Sequence, residues 1–216
     1  MTTPELIQRV IAVVNGKEFD EDSEILPLLN EGLFFVARNF NLPSLITNTA
    51  VLFTGGSGTA SLPTDFHHSP YHAENTTYTR RLNVHTSSHS LYRLFNNYDT
   101  QGAITDVAVD GVTLVARPVP SDNQTVFVAY YKQPTPLTND DTSSPDCLPI
   151  HLHDSLLVNY AAKELYKRIE DGVDGAMVNT NKYTQLFTTE GLSFLREYTR
   201  LSPIFTPYIK RHAYFI

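Results

Sequence analysis

The chain has 216 residues, a net charge of −7, one cysteine and no tryptophan. That length buries a sizeable core as one domain or two small ones, and 18% charged against 41% hydrophobic residues exclude a disordered chain. One cysteine excludes an internal disulfide framework and zinc sites built on cysteine pairs, no run reaches the roughly 18 apolar residues of a membrane helix, no signal peptide is expected, and the acidic balance argues against a partner gripped through its phosphates.

The first stretch, residues 1–46, reads as a helical pair. Thr3 is the expected cap, with Pro4 at the first helical position, where a missing N–H costs nothing. Leu6, Ile7, Val10, Ile11 and Val14 follow at helical spacing, and Gly16 is the expected stop. Asp20, Asp22 and Ser23 offer a second cap, and Glu24 suits the positive end of the helix dipole. Pro27 must lie in the opening turn. Leu28, Leu29, Leu33, Val36, Ala37 and Phe40 continue the apolar face to Leu42-Pro43, where the helix should end.

Residues 47–133 change period and read as an inserted antiparallel β domain. Thr49 to Phe53 is a strand, Gly55-Gly56-Ser57-Gly58 a turn, and Thr59 to Leu62 the return. Ile104 to Val109 and Val112 to Ala116 flank Asp110-Gly111, a hairpin signal. Pro118 to Asn123 is a further turn before a strand over Thr125 to Tyr131. Valine and threonine enrich these runs, as in half-buried strands. Ser90 to Phe95 reads as a short helix.

Residues 134–149 form a linker with four prolines and the acids Asp140, Asp141 and Asp146. It is expected to be exposed and extended. A C-terminal helical pair over 150–202 should complete a bundle of about four helices. Its first helix runs from Pro149 to Ile169 on Leu152, Leu156, Leu157, Tyr160, Ala161 and Leu165. Gly172 and Gly175 mark the connection. Its second spans Met177 to Leu201 on Tyr183, Leu186, Phe187, Phe194, Leu195 and Tyr198. Gly191 inside it costs about 1 kcal/mol against alanine, so it signals a bend or a close helix contact. The fold class is therefore α+β: a helical bundle with an inserted β domain and an extended C-terminal arm, 203–216.

That arm holds Pro203 and Pro207, then Phe205, Tyr208, Tyr214 and Phe215, with Ile204, Ile209 and Ile216. Its only charges are Lys210 and Arg211. It cannot form a core alone, and stretched out it reaches roughly 45 Å. An apolar, aromatic terminus must pack back on its own domain or dock on another chain.

The chemistry-bearing residues give weak signals. His151, His153 and Asp154 open a helix, but residues two apart do not share a face and no third ligand follows at zinc spacing. His67, His68, His72, His85 and His89 fit no metal signature and read as loop residues without a shared role. Cys147 lies in the linker with no fixed base, so it reads as a bystander thiol. The glycine-rich turn lacks the lysine and following helix of a phosphate loop. The acids Glu18, Asp20, Glu21, Asp22 and Glu24 lack the order of a calcium loop and read as a solvated helix start. No cofactor or metal is expected.

The arrangement is more specific than any single motif. "LPLLNEGLFFVARNF" is followed by "TASLPTDF", then "VAVDGVTLVARPVPSDNQTVFVAYYKQPTPLTNDD", then "LPIHLHDSLLVNYAAKELYKRIEDG". The chain resembles the bacteriophage head–tail adaptor (connector) proteins and is similar in plan to the tail tubular protein A and gp6-like connector groups. The resemblance runs from Leu6 to about Leu201. Its most specific pieces are Leu62, Pro63, Asp65 and Phe66, the strand ending in Tyr130-Tyr131, and the helix opening after Leu148-Pro149.

The resemblance implies a non-enzymatic virion protein at the neck, made in the host cytoplasm. It implies a ring, usually of twelve copies, beneath the portal protein. Double-stranded DNA passes through the ring without specific binding, a downstream tail or neck protein attaches below, and no membrane is involved. It also implies that Phe205, Tyr208, Ile209, Lys210, Arg211, Tyr214, Phe215 and Ile216 dock on the portal. Two other readings stand beside it. One is a carbohydrate- or receptor-binding tail module, against which no aromatic platform is visible in the β domain. The other is a metal-dependent cell-wall hydrolase centred on His151, His153 and Asp154. By segment, residues 1–49 carry −4, 50–149 carry −4, 150–202 carry −1 and the arm +2. An acidic channel lining that lets a duplex slide is the expectation.

Overall fold

The computed structural model describes residues 1–14, 19–95, 100–170 and 177–201. Gly16, Glu18, Gly172, Gly175 and the whole arm lie outside these residues. Of the described residues, 1–45 with those from 133 to 201 form a helical unit, and residues 46–132 form a β unit. The α+β class holds.

In the helical unit, α1 is Thr3–Val13. Its cap is Thr2, one residue earlier than the sequence suggests: the Thr2 N–H donates to the Glu5 carboxylate at 3.0 Å. Thr3 is buried instead, and both its N–H and its hydroxyl donate to the Ser143 carbonyl. A wide turn, Glu21–Ile25, leads into α2, Leu26–Asn39. Asp20 caps it by accepting from the N–H groups of Asp22 and Ser23, and Glu24 returns a carboxylate to the Asp20 N–H at 2.9 Å. Those bonds, led by the one from the Ser23 N–H, hold the Asp20 carboxyl below its usual range. Asp20, Glu21, Asp22 and Glu24, the described acids of the cluster, thus make a helix start. Leu28, Leu29, Leu33, Val36 and Ala37 are buried as their spacing requires, but α2 ends at Asn39, ahead of Leu42-Pro43.

The stretch 134–149 is not a free linker. Pro134, Leu137, Pro145 and Leu148 are buried. Asn30 on α2 holds Leu137 by both backbone groups, Asn139 donates to Asp22, and Ser44 donates to the Cys147 carbonyl. Hydroxyls of Thr138 and Thr142 hold the Asp140 carboxyl at about 2, as in a tight turn. Four buried apolar residues and a set of side-chain bonds turn a proline-rich segment into a strap on the helices.

The helix opening after it is stepwise: a single turn Ile150–Leu152, a wide turn Asp154–Val158, then α4, Asn159–Glu170. Leu152, Leu156, Leu157, Tyr160, Ala161 and Leu165 are buried. α5, Val178–Gln185, and α6, Ser193–Leu201, are joined by the helical wide turn Leu186–Leu192, which contains Gly191. Phe187 and Leu195 are buried, whereas Phe194, placed on the same face by its spacing, is exposed. The widened turn changes the residue count per turn and so rotates α6 relative to α5. Phe35, Tyr160 and Phe187 form a ring cluster with centroids 5.5–5.8 Å apart.

The β unit holds two four-stranded sheets packed face to face and one two-stranded sheet. Its strands are β1 (Ile46–Phe53), β2 (Thr59–Ser61), β3 (Phe66–Asn75), β4 (Arg80–Arg81), β5 (Asn83–His85), β6 (Gln101–Gly102), β7 (Asp106–Asp110), β8 (Thr113–Arg117), β9 (Val119–Pro120) and β10 (Gln124–Lys132). One sheet has the order β1-β10-β3-β4 and the other β2-β8-β7-β5. The expected β1–β2 return is therefore not a hairpin: β1 pairs with β10 and β2 with β8, in different sheets. Most pairings are antiparallel, but β5–β7 and β6–β9 are parallel.

Val51, Phe53, Ala73, Val126 and Val128 of the first sheet meet Val107, Leu114 and Ala116 of the second in the core. α3, Ser88–Leu94, covers the outer face of the second sheet with Leu91 on Ala108 and Val115. The β7–β8 hairpin loop is Gly111-Val112, because Asp110 pairs with Thr113. Gly111 has φ +59°, and glycine at the first loop position is what a II′ turn requires. The turn thus sits one residue later than the Asp-Gly dipeptide implies. At the base of the sandwich, buried Gln124 accepts from Asn75 Nδ2 at 2.7 Å and the Ile104 N–H at 3.0 Å, and donates to the Gly102 carbonyl.

Candidate functional site

The arm residues proposed as portal anchors, Phe205, Tyr208, Ile209, Lys210, Arg211, Tyr214, Phe215 and Ile216, lie outside the described residues. The other candidates can be placed.

His151, His153 and Asp154 do not converge. His151 is exposed. His153 is turned into the helical unit, 2% exposed, with its Nε2 donating to the Leu148 carbonyl at 3.1 Å. Burial holds its imidazole below the usual histidine range. Asp154 pairs with Arg9 of α1. A histidine locked on a carbonyl and a carboxylate engaged by a guanidinium make packing contacts rather than a ligand set. Among the described residues no group of three or more His, Cys, Asp or Glu is placed to hold a metal, and no helix is long and apolar enough to cross a membrane.

The histidines of the β unit are not loop residues. His67, His68 and His72 lie on β3 and His85 on β5; His89 lies in the first turn of α3. No alternation of apolar residues marks β3, so the sequence pattern misses it. His85 Nε2 lies 2.8 Å from Asp106 Oδ1, and Asp106 also accepts from Asn83 at 3.0 Å and Thr105 at 2.5 Å. Burial pushes the Asp106 carboxyl up, but these bonds outweigh it and leave it below its ordinary value.

β3 also gathers rings that the linear pattern does not reveal. His68 stacks on Tyr131 with centroids 4.9 Å apart, and Tyr71 lies 6.0 Å from the same ring. Burial raises both phenols, Tyr131 with help from Tyr71. A cleft of about 570 Å³ opens here, lined by Phe66, His68, Tyr71, Val84, His85 and Val109 among others.

The first sheet ends in β1. It carries no charged residue and no proline. On its outer face Leu52 is 60% exposed and Ile46 37%, beside Phe127 of β10 at 42%. Among the described residues its backbone bonds only to β10.

The two most specific motif pieces meet in space. Tyr130 donates its phenol O–H to Asp65 at 2.7 Å, and its ring lies 5.4 Å from Phe66. The family model described as SU10 adaptor protein matches residues 1–204. No curated protein matches the chain.

Proposed function

The chain belongs to the SU10 adaptor protein family, a family of phage head–tail adaptors, and on that premise we propose that it forms a ring beneath the portal, extends the DNA channel and carries the attachment platform of the tail. The role is structural, in the virion. The observation that carries this reading is the match over residues 1–204, which spans both units of the fold.

In the proposed ring, twelve copies meet head to tail, one patch against a different patch, so the contact closes by rotation. The arm supplies the portal contact. Phe205, Tyr208, Ile209, Tyr214, Phe215 and Ile216 fill pockets between portal subunits, as buried aromatic anchors do, and Lys210 and Arg211 add charge contacts at the rim. The next neck or tail protein binds below. The duplex passes without a grip, because an acidic wall repels phosphate over about 8–10 Å. An assembled ring with a lysine- and arginine-rich lumen would overturn that last point.

The test is deletion of residues 203–216. The truncated chain should fail to join DNA-filled heads while keeping the folded signature of both units. Normal joining by the truncated chain overturns the docking role. Mass measurement of the chain alone and on an isolated portal ring gives the copy number.

One observation favours a second reading. The ring-lined cleft at β3 and β5, with His85 fixed by Asp106, has the stacking surfaces and polar groups of a carbohydrate subsite. A glycan-binding assay comparing the full chain with Tyr71→Ala decides it: sugar capture that this variant loses supports the reading, and absence of capture ends it.

A further inference from the structure

Among the described residues, β1 is a sheet edge without the usual protection. Edge strands offer a row of unpaired N–H and C=O groups, and native proteins blunt them with charge, proline, bulges or short length. The other outer strands of the two sheets are short: β4 is two arginines, and β2 and β5 are three residues each. β1 has eight residues, Ile46–Phe53, with no charge and no proline. It runs against β10 without a register break, from Ile46 opposite Tyr131 to Phe53 opposite Gln124. Its other side bonds to no backbone group among the described residues. The exposed Leu52 and Ile46 add apolar surface beside Phe127.

We propose that this edge is covered by the segment Tyr208–Ile216 of an adjoining copy, added to β1 as a further strand, in the adaptor that has not yet met a portal. The inference rests on the ring reading above.

Three observations select this occupant. The segment is nine residues long and follows Pro207 without a further proline or any glycine, so its length suits an eight-residue edge. Five of its residues, Tyr208, Ile209, Tyr214, Phe215 and Ile216, are aromatic or β-branched, the types that favour a pleated surface. Its charges are Lys210 and Arg211, on a chain whose net charge is −7 with them included. A segment of that sign is attracted by an acidic neighbour, and β1 presents no cation to repel it.

The segment also lies beyond the stretch matched by the family model, which ends at residue 204. Main-chain bonds supply the affinity of an added strand and its alternate side chains the specificity. A strand given by one copy to the next is a head-to-tail contact, so it propagates around a ring rather than stopping at a pair. One segment cannot fill a portal pocket and a sheet edge together. The edge is therefore its seat before the portal is engaged, and the exchange makes joining the head a switch.

The experiment uses the full chain without portal, in a Cys147→Ser background. Copies carrying Ala50→Cys are mixed with differently tagged copies carrying Tyr214→Cys or Phe215→Cys under mild oxidation. A disulfide joining the two tags is expected. Sedimentation should show self-association of the parent chain that Leu52→Lys weakens at least tenfold, since Leu52 is exposed and lysine there leaves the fold intact. A monomeric parent chain, unchanged association in Leu52→Lys, or no disulfide between the tags each overturns the proposal. Because no portal is present, these outcomes are independent of whether the arm later docks on one.

Discussion

Tyr130 and Asp65, separated by 65 residues, are joined by a 2.7 Å hydrogen bond from the phenol to the carboxylate. The tyrosine is 2% exposed and the aspartate lies at the surface. Burial raises the phenol, and the neighbouring carboxylate raises it further, so the O–H stays a donor at any physiological pH. The bond ties the turn before β3 to the end of β10. Tyr130→Phe keeps the ring against Phe66 and loses only the bond. It should cost about 0.5–1.5 kcal/mol, read as a lower urea midpoint with unchanged slope. Tyr130→Ala should cost about 3–5 kcal/mol by leaving a cavity.

Asn30 makes a backbone-like pair with Leu137, donating from Nδ2 at 3.1 Å and accepting at Oδ1 at 2.7 Å. Asn30→Ala leaves both Leu137 groups without their partner in a part-buried place. The expected loss is about 1–3 kcal/mol. Hydrogen exchange at the Leu137 amide should accelerate by more than the global destabilisation explains.

Gly191 sits against another backbone: a Cβ there would lie 2.5 Å from the Ser155 carbonyl oxygen and 3.0 Å from Leu156 Cδ2. A carbonyl oxygen cannot swing aside like a side-chain tip. Gly191→Ala should therefore destabilise by about 1–3 kcal/mol, although alanine is the better helix former by about 1 kcal/mol. Thermal unfolding checks the sign: a rise in Tm would contradict the close contact.

His153 sets a pH dependence. Burial lowers its folded value below the ordinary 6.5, so below that pH the unfolded chain takes up a proton that the folded chain resists. Stability from this group is constant above about 6.5 and falls as the pH drops, until the pH passes the lowered folded value. His153→Gln does not titrate and retains a donor for the Leu148 carbonyl. Urea unfolding at pH 7.5 and 5.5 should show a smaller difference for the variant than for the parent chain.

Local rules made part of the molecule legible. The apolar faces of α1, α2 and α4 follow from 3.6-residue spacing, and their residues are buried because no other face could be. The cap at Asp20 and the β10 strand follow from residue chemistry in the same way. The helix cost of Gly191 signalled a bend or a close contact, and the close contact is present.

The rest depends on pairings between distant segments. β3 carries His67, His68, Pro70 and His72 in place of alternating valines, and is a strand because it pairs with β10 from Phe66 to Asn75, and with β4 at Glu74 and Asn75. β1 and β2 look like the arms of one hairpin, yet each finds its partner more than 50 residues further on, in a different sheet. The proline-rich strap is ordered by two buried leucines and by Asn30, none of which alters its local composition. Sequence alone determined the class of the fold, the helical faces and the acidic balance, because these are carried by nearest-neighbour periodicity and composition; the family likeness came from the order of its motif pieces along the chain. Which strand became the outer edge of its sheet, and which rings and carboxylates came together, was decided by long-range register, which no local pattern encodes.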